Sequence, residues 1–237
     1  MVKITERQEK ILDRIVRDYI DLAEPISSEF LGKKHDFGIC PATIRIEMQK
    51  LTDKGFLKQP HTSSGRVPTD KSYRFFVDKL MKRKKSVFED TLDFEKIFKE
   101  EKKDIFKFAN DLVKTLAETS SNFSLLHILD EDLFWKEGWG EVLKQPEFEE
   151  RNFIAEFNNL LEDFEENIDD LELNSEMKIY IGRENPFSKA RDFSIMVSRC
   201  HLPKGEEGIV SILGPKRMAY DRNIGLINSL TKLLEEL

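Results

Sequence analysis

Ser27–Asp70, SSEFLGKKHDFGICPATIRIEMQKLTDKGFLKQPHTSSGRVPTD, decides the reading of this chain. Pro41 suits the first position of a helix, since it has no N–H to leave unpaired and its φ is already helical. Cys40 then falls at the N-cap, a weaker cap than Ser, Thr, Asp or Asn. Ile44, Met48 and Leu51 recur at spacings of four and three and share one buried face. Ala42, Ile46 and Gln49 lie opposite, flanked by Thr43, Arg45 and Lys50. Such a helix fits a DNA major groove, but it also fits an ordinary amphipathic surface helix.

The flanking residues favour the first option. Ser28–His35 reads as a short helix carrying Phe30 and Leu31, and Gly38 sits where a turn needs positive φ. Helix, glycine turn and helix make a helix-turn-helix pattern. Phe56-Leu57-Lys58 reads as a short strand, and Gln59–Asp70 as a polar hairpin loop, or wing, with Gly65 near its tip. The small residues Thr62, Ser63, Ser64 and Gly65 suit a close approach to a phosphate backbone. Arg66 suits a phosphate or a narrow minor groove.

Several stretches resemble the heat-inducible transcription repressor family of bacteria (HrcA type). They are ITERQEKILDRIVRDYI, EPISSEFL, ATIRIEMQKL and above all QPHTSSGRVPTDKSYRFFVDKL, Gln59–Leu80. LKQPEF, KIYIGRENPFSKARDFSIMVS and SILGPKRMAYDRNIGLINSLTKLL resemble the C-terminal part of that family. The resemblance implies an α+β protein, with an N-terminal winged helix-turn-helix domain over residues 1–80. The basic run Lys82–Lys85 reads as a solvated hinge or, alternatively, a phosphate contact, which with the helix after it makes 81–119 a basic hinge and long linking helix. A reduced GAF-like regulatory and dimerisation domain fills 120–237. It further implies a cytoplasmic repressor of chaperone operons, binding an inverted-repeat operator as a homodimer, released on heat stress, with the GroE chaperonin as a partner. Family members are longer, and the missing segment falls between Leu129 and Phe134, which leaves a smaller sheet and puts the family's route to dimers in question. Cys40-Pro41 and Ile46 also depart from the family's recognition helix, so a related but altered operator is expected.

Charge agrees with a division of labour. The 237 residues carry a net charge of −7, but residues 1–85 carry +7 and residues 86–237 carry −14. A basic first segment suits double-stranded DNA. Thr43, Arg45, Ile46 and Gln49 are the candidates for base contact, Ile46 through a thymine methyl. Lys50, His61, Thr62, Ser64, Arg66 and Lys71 are the candidates for backbone or wing contact. Cys40 and Cys200 stand apart from any CxxC or Cys/His cluster, so neither a disulfide framework nor a metal is expected, and no cofactor. No apolar run is long enough to span a bilayer. His61 near Ser63 and Ser64 lacks an orienting carboxylate, so no enzyme is expected.

The rest of the chain reads as follows. Thr5 and Gln8 form a capping box ahead of a helix bearing Ile11, Leu12, Ile15, Val16 and Tyr19. Phe88–Thr119 reads as a long helix with an apolar side that includes Ile105, Phe106 and Leu112. Asn122–Leu129, Met177–Ile181, Phe193–Cys200 and Gly208–Leu213 read as strands, the last broken by Gly214-Pro215. His127 reads as a core or edge histidine. Phe134–Lys144 reads as a helix pairing Trp135 with Trp139, Glu147–Leu173 as an acidic helix, and Asp221–Leu237 as the last helix. Two rival readings of the whole are a regulator whose C-terminal GAF-like domain senses a small ligand, and an interaction module that never meets DNA.

Overall fold

Local signals account for the first three helices. The fold is that of a computed structural model, which describes residues 3–62, 64–82, 105–171, 173, 177–187 and 191–235. The chain divides into two units, Met1–Lys84 and Lys85–Leu237. Helix α1, Glu6–Leu22, opens on the reciprocal Thr5–Gln8 capping box. Helix α2, Ser28–Lys34, is capped by the Ser27 hydroxyl, which accepts from the Phe30 N–H at 3.1 Å. Gly38, at φ +65°, turns the chain into helix α3, Pro41–Asp53. Strands β1, Leu57–Lys58, and β2, Val67–Pro68, pair antiparallel with Leu57 opposite Pro68. Helix α4, Asp70–Lys82, follows.

The core of this unit is built at helical spacing from Ile11, Leu12, Ile15 and Val16 of α1, Leu31 of α2, Ile44, Met48 and Leu51 of α3, and Tyr73, Phe76 and Val77 of α4. Full burial of one such apolar side chain contributes about 1.5–3 kcal/mol. Two buried polar groups set the helix orientations. Asp18 on α1 takes Lys34 Nζ at 2.6 Å and pairs with His35 Nε2 at 2.8 Å, which ties the end of α2 to α1. Glu47 on α3 accepts from Gln8 Nε2 and from Lys50 Nζ, both at 2.8 Å. Gln8 Oε1 in turn accepts from Lys54 Nζ at 2.9 Å, so the residue that caps α1 also fastens α3. A buried carboxylate is tolerated only where such partners compensate its lost hydration.

The second unit is a five-stranded antiparallel sheet in the order β4-β3-β7-β6-β5, a mixed α+β arrangement. Its elements are α5 (Ile105–Ser120), β3 (Phe123–Ile128), β4 (Leu133–Glu137), α6 (Trp139–Val142), α7 (Arg151–Asn167), β5 (Lys178–Ile181), β6 (Phe193–His201), β7 (Glu207–Pro215) and α8 (Tyr220–Glu235). Odd-numbered Phe123, Leu125, Phe193, Ile195, Val197, Ile209 and Leu213 share one sheet face and pack with Phe157, Leu160 and Phe164 of α7. Alternation along the strands puts Leu126, Met196, Val210 and Ile212 on the other face, where α5 meets β3 and β4 and α8 meets β6. With both faces covered, every residue of β3 is buried.

Several local readings change. The stretch 133–137 is strand β4, not the start of a helix; it folds back on β3 after the short connection Leu129–Asp132, with Trp135 opposite Leu126. The helix begins only at Trp139, after Gly138 at φ +119°. The two tryptophans therefore do not pair: Trp135 meets Phe106 at 5.7 Å, whereas Trp139 meets Phe123 and Phe157 at 5.7 and 5.6 Å. Phe106 is 56 % exposed and lies outside the buried stripe of α5. Strand β7 runs through Gly214 and Pro215 to meet Phe193, because a Pro at the end of a ladder sacrifices little pairing. The acidic helix starts at Arg151, after a single 3₁₀ turn at Pro146–Glu149. His127 is buried on β3, stacked on Phe134 at 4.0 Å and bonded to Asp132 at 3.0 Å. The basic run beyond Lys82, the Phe88–Asp104 part of the expected linking helix, Ser63 and the last two residues lie outside the described residues.

Candidate nucleic-acid interface

The inner face of α3 is fixed by its apolar stripe, so the outer face is fixed as well. Ala42, Arg45, Ile46, Gln49, Lys50 and Asp53 are exposed, and Ile46 is 55 % exposed. A large aliphatic side chain on a helix crest between polar neighbours contributes nothing to its own core. At 100° per residue, Ala42, Ile46, Gln49 and Asp53 form the outermost row. Arg45 and Thr52 form the flank on one side, and Thr43 and Lys50 the flank on the other.

The hairpin stands against the first of these flanks. Arg66 donates from Nε to Thr52 Oγ1 at 3.2 Å and from Nη2 to Gln49 Oε1 at 3.0 Å. The Gln49 amide donates in turn to Asp53 Oδ1 at 2.8 Å, so its orientation is set by both neighbours. The hairpin base is also tied to the connector before α2. Arg66 N–H donates to the Ile26 carbonyl at 2.8 Å, and Ile26 N–H donates to the Arg66 carbonyl at 2.9 Å. Gly65 lies directly against this bridge, where a Cβ would collide with the Ile26 carbonyl oxygen. Gly65 therefore sits at the base of the hairpin rather than its tip, and its lack of a side chain serves a contact inside the unit.

The loop itself is shaped by its own side chains. Gln59 Nε2 donates to the carbonyls of Thr62 at 2.8 Å and Ser64 at 3.1 Å. Ser64 Oγ accepts from His61 N–H at 3.0 Å and donates to the His61 carbonyl at 2.7 Å. Its hydroxyl is thus directed to the backbone, while the His61 and Thr62 side chains remain exposed.

The other sequence candidates separate. Thr43 Oγ1 lies 3.3 Å from Cys40 Sγ, and this contact, with the Thr43 N–H, holds the exposed Cys40 thiol below its ordinary pKa. Lys50 is paired with Glu47, whose carboxyl is pushed below its ordinary range first by Lys50 and then by Gln8. Lys71 lies at the far end of α3, its Nζ donating to the Lys54 carbonyl at 2.7 Å above the Phe56 ring. Among the described residues the exposed Arg45 guanidinium makes no hydrogen bond or ion pair. The structure thus brings Arg45, Gln49, Thr62, Ser64 and Arg66 to one side of α3 and sets Lys71 apart. Sequence reading missed Thr52 and Ile26 as supports, because Thr52 acts on a residue 14 positions away and Ile26 acts through its backbone. Asp53, one helical turn from Gln49, was missed although its i,i+4 spacing is legible in the sequence.

Among the described residues no helix is long and apolar enough to cross a membrane, and no group of three or more His, Cys, Asp or Glu side chains is placed to hold a metal ion.

Residues 62–224 match the family model described as HrcA protein C terminal domain. The heat-inducible transcription repressor HrcA of Thermodesulfovibrio yellowstonii is 26 % identical over 342 aligned positions, covering 98 % of this chain and 97 % of the relative. That of Clostridium tetani is 26 % identical, covering all of this chain and 96 % of its own. That of Acetivibrio thermocellus is 49 % identical over 87 residues, 37 % of this chain and 25 % of the relative. The aligned lengths make the present chain, at 237 residues, shorter than such relatives. A crystal structure of a hypothetical protein superposes with a TM-score of 0.81 at 21 % identity, covering 99 % of this chain and 98 % of that one, which is a likeness of fold.

Proposed function

The chain belongs to the HrcA family, and from that premise we propose that it is a shortened repressor that binds an inverted-repeat operator as a homodimer through an N-terminal winged helix-turn-helix. Its relatives are heat-inducible transcription repressors. The observation that carries the reading is the exposed outer row of α3, with Ile46 at its crest, beside a hairpin held to the same helix by Arg66. In this reading α2 and α3 are the helix-turn-helix and β1–β2 with its loop is the wing. The outer row enters the major groove and the loop follows the backbone.

Thr43, Ile46 and Gln49 face base edges, with Ile46 suited to a thymine methyl. Lys50, His61, Thr62 and Arg66 attend the phosphates, and Ser64 shapes the loop that carries them. The +7 charge of residues 1–85 supports this placement, and the −14 charge of the remainder keeps the second unit off the duplex. The second unit supplies the dimer contact and the regulatory input, GAF-like in fold, with the GroE chaperonin as the partner that holds the repressor competent until heat draws it away. The operons controlled are those of chaperones.

Fluorescence anisotropy on the family's inverted repeat and on a scrambled duplex, at two salt concentrations with a parallel mass measurement, tests this. Tight, sequence-dependent binding by a dimer is expected, with affinity falling steeply with salt. Weak binding, equal on both duplexes and insensitive to salt, overturns the repressor reading.

A further inference from the structure

Arg45 and Arg66 open onto one groove of about 250 Å³ between α3, the start of α2 and the hairpin loop. The groove also presents Ser27, Ser28 and Thr62, and among the described residues Glu29 is the one carboxylate on its wall. We propose that this groove clamps a single phosphodiester of the DNA backbone between the two guanidinium groups, so that Arg45 is a backbone contact and not a reader of base edges. The proposal rests on the DNA-binding reading above.

Three observations carry it. The first is angular: Arg45 lies about 20° from Thr52 around α3, and about 100° from the crest residue Ile46. Thr52 is the residue that receives Arg66 Nε, so Arg45 stands in the row to which the hairpin is anchored. The second is the state of the two guanidinium groups. Arg66 commits Nε and Nη2 to Thr52 and Gln49, and a guanidinium has five N–H groups, so the anchor leaves donors over while it fixes the plane. The Arg45 guanidinium makes no hydrogen bond or ion pair among the described residues. The third is the lining: hydroxyls at Ser27, Ser28 and Thr62 can donate to phosphate oxygens, and a planar guanidinium suits a phosphate in a bidentate contact.

Gln49 keeps its second amide N–H for a base edge and is at the same time a positioning residue for Arg66. Its amide oxygen faces Arg66 and its amide nitrogen faces Asp53, so it holds the Arg66 guanidinium toward the groove. Glu29 acts against the ligand, since its carboxylate and the phosphate share one wall.

The test scans a duplex recovered by binding selection with one neutral methylphosphonate at a time, against wild type, R45A, R66A and E29Q. One position in each half-site is expected to weaken wild type by roughly ten-fold or more. R45A and R66A are expected to lose affinity on every sequence alike, to lower the salt slope by about 1 per half-site, and to be blind to that same methylphosphonate. E29Q is expected to tighten binding only where that phosphate is charged. Because Arg66 also secures the hairpin, the exposed Arg45 decides the matter, with thermal unfolding checking the fold of R66A. If R45A instead relaxes preference at one base pair and stays sensitive to every methylphosphonate, the clamp is overturned while DNA binding stands. If selection recovers no duplex, the DNA-binding reading fails and the clamp with it.

Discussion

Arg66 at the end of the hairpin loop donates to Gln49 on α3 at 3.0 Å, across 17 residues of chain. The hairpin is therefore not a free arm. Its position is set by the helix it stands beside, by the Thr52 hydroxyl below and by the Ile26 bridge behind. Anything that loosens these ties should move the loop before it disturbs the core.

Gly65→Ala is the sharpest probe of that base. A Cβ there meets the Ile26 carbonyl oxygen and the Pro25 carbonyl, both backbone, so the chain must shift to admit it. A loss of about 1–3 kcal/mol in unfolding free energy is expected, in line with overpacking at a tight contact. Thermal and urea unfolding of the variant would measure it, and an unchanged midpoint would show that the hairpin base yields without cost.

Ile46→Ala should separate stability from recognition. The side chain is 55 % exposed, so stability should stay within about 0.5 kcal/mol of the parent. A binding selection should nevertheless return a weaker preference at one thymine of each half-site. An unaltered consensus would remove Ile46 from the interface.

Glu47 makes the stability of the first unit depend on pH. Its carboxyl is held below the ordinary value of 4.5 in the folded chain by Lys50 and then Gln8, and returns to that value on unfolding. The unfolded chain then binds the proton more readily, so the contribution is complete above about pH 4.5 and is lost as pH falls through the lower folded value. Wild type should lose unfolding free energy more steeply than E47Q on acidification below pH 4.5. Parallel slopes would show that the Gln8–Glu47–Lys50 network adds no pH-dependent stability.

The second unit should answer most strongly at Phe157. Its ring meets Phe123, Trp139, Phe148 and Phe193 at 5.1–5.9 Å and is fully buried. Phe157→Ala should cost about 3–5 kcal/mol, since the cavity lies among rigid rings that collapse poorly. Denaturant unfolding followed by tryptophan fluorescence would report it directly through Trp139.

The two cysteines should differ in reactivity. Cys40 is exposed and its thiol is eased toward the thiolate by Thr43, whereas burial pushes Cys200 up to about 12. A thiol reagent should modify one cysteine rapidly in the native protein and the second only on unfolding. Fast modification of both would mean that β6 opens in the native state.

The first unit is legible in the sequence wherever its signals are local. Thr5 and Gln8 cap α1 as a box, Pro41 opens α3, Gly38 takes positive φ, and Ile44, Met48 and Leu51 turn one face inward. In the second unit the buried strands β3, β6 and β7 were legible as apolar runs. Strand β4 was not: Phe134, Trp135 and Trp139 fit a helical spacing as well as a strand followed by a turn, and only pairing with β3 decides between them.

By itself, then, the sequence determined the helices of the first unit and the buried strands of the second, the burial of one face of α3, the charge division between the two parts of the chain and the kinship with a repressor family. Tertiary structure alone decided that Gly65 is required by Ile26, that Gln49 holds Arg66, that Gln8 reaches Glu47 and that Arg45 stands on the hairpin side of α3. The reason is physical. Caps and periodicities act within one or two turns of chain, whereas hydrogen bonds and close approaches join residues 17 to 39 positions apart, and their partners exist only once the core has brought the elements together.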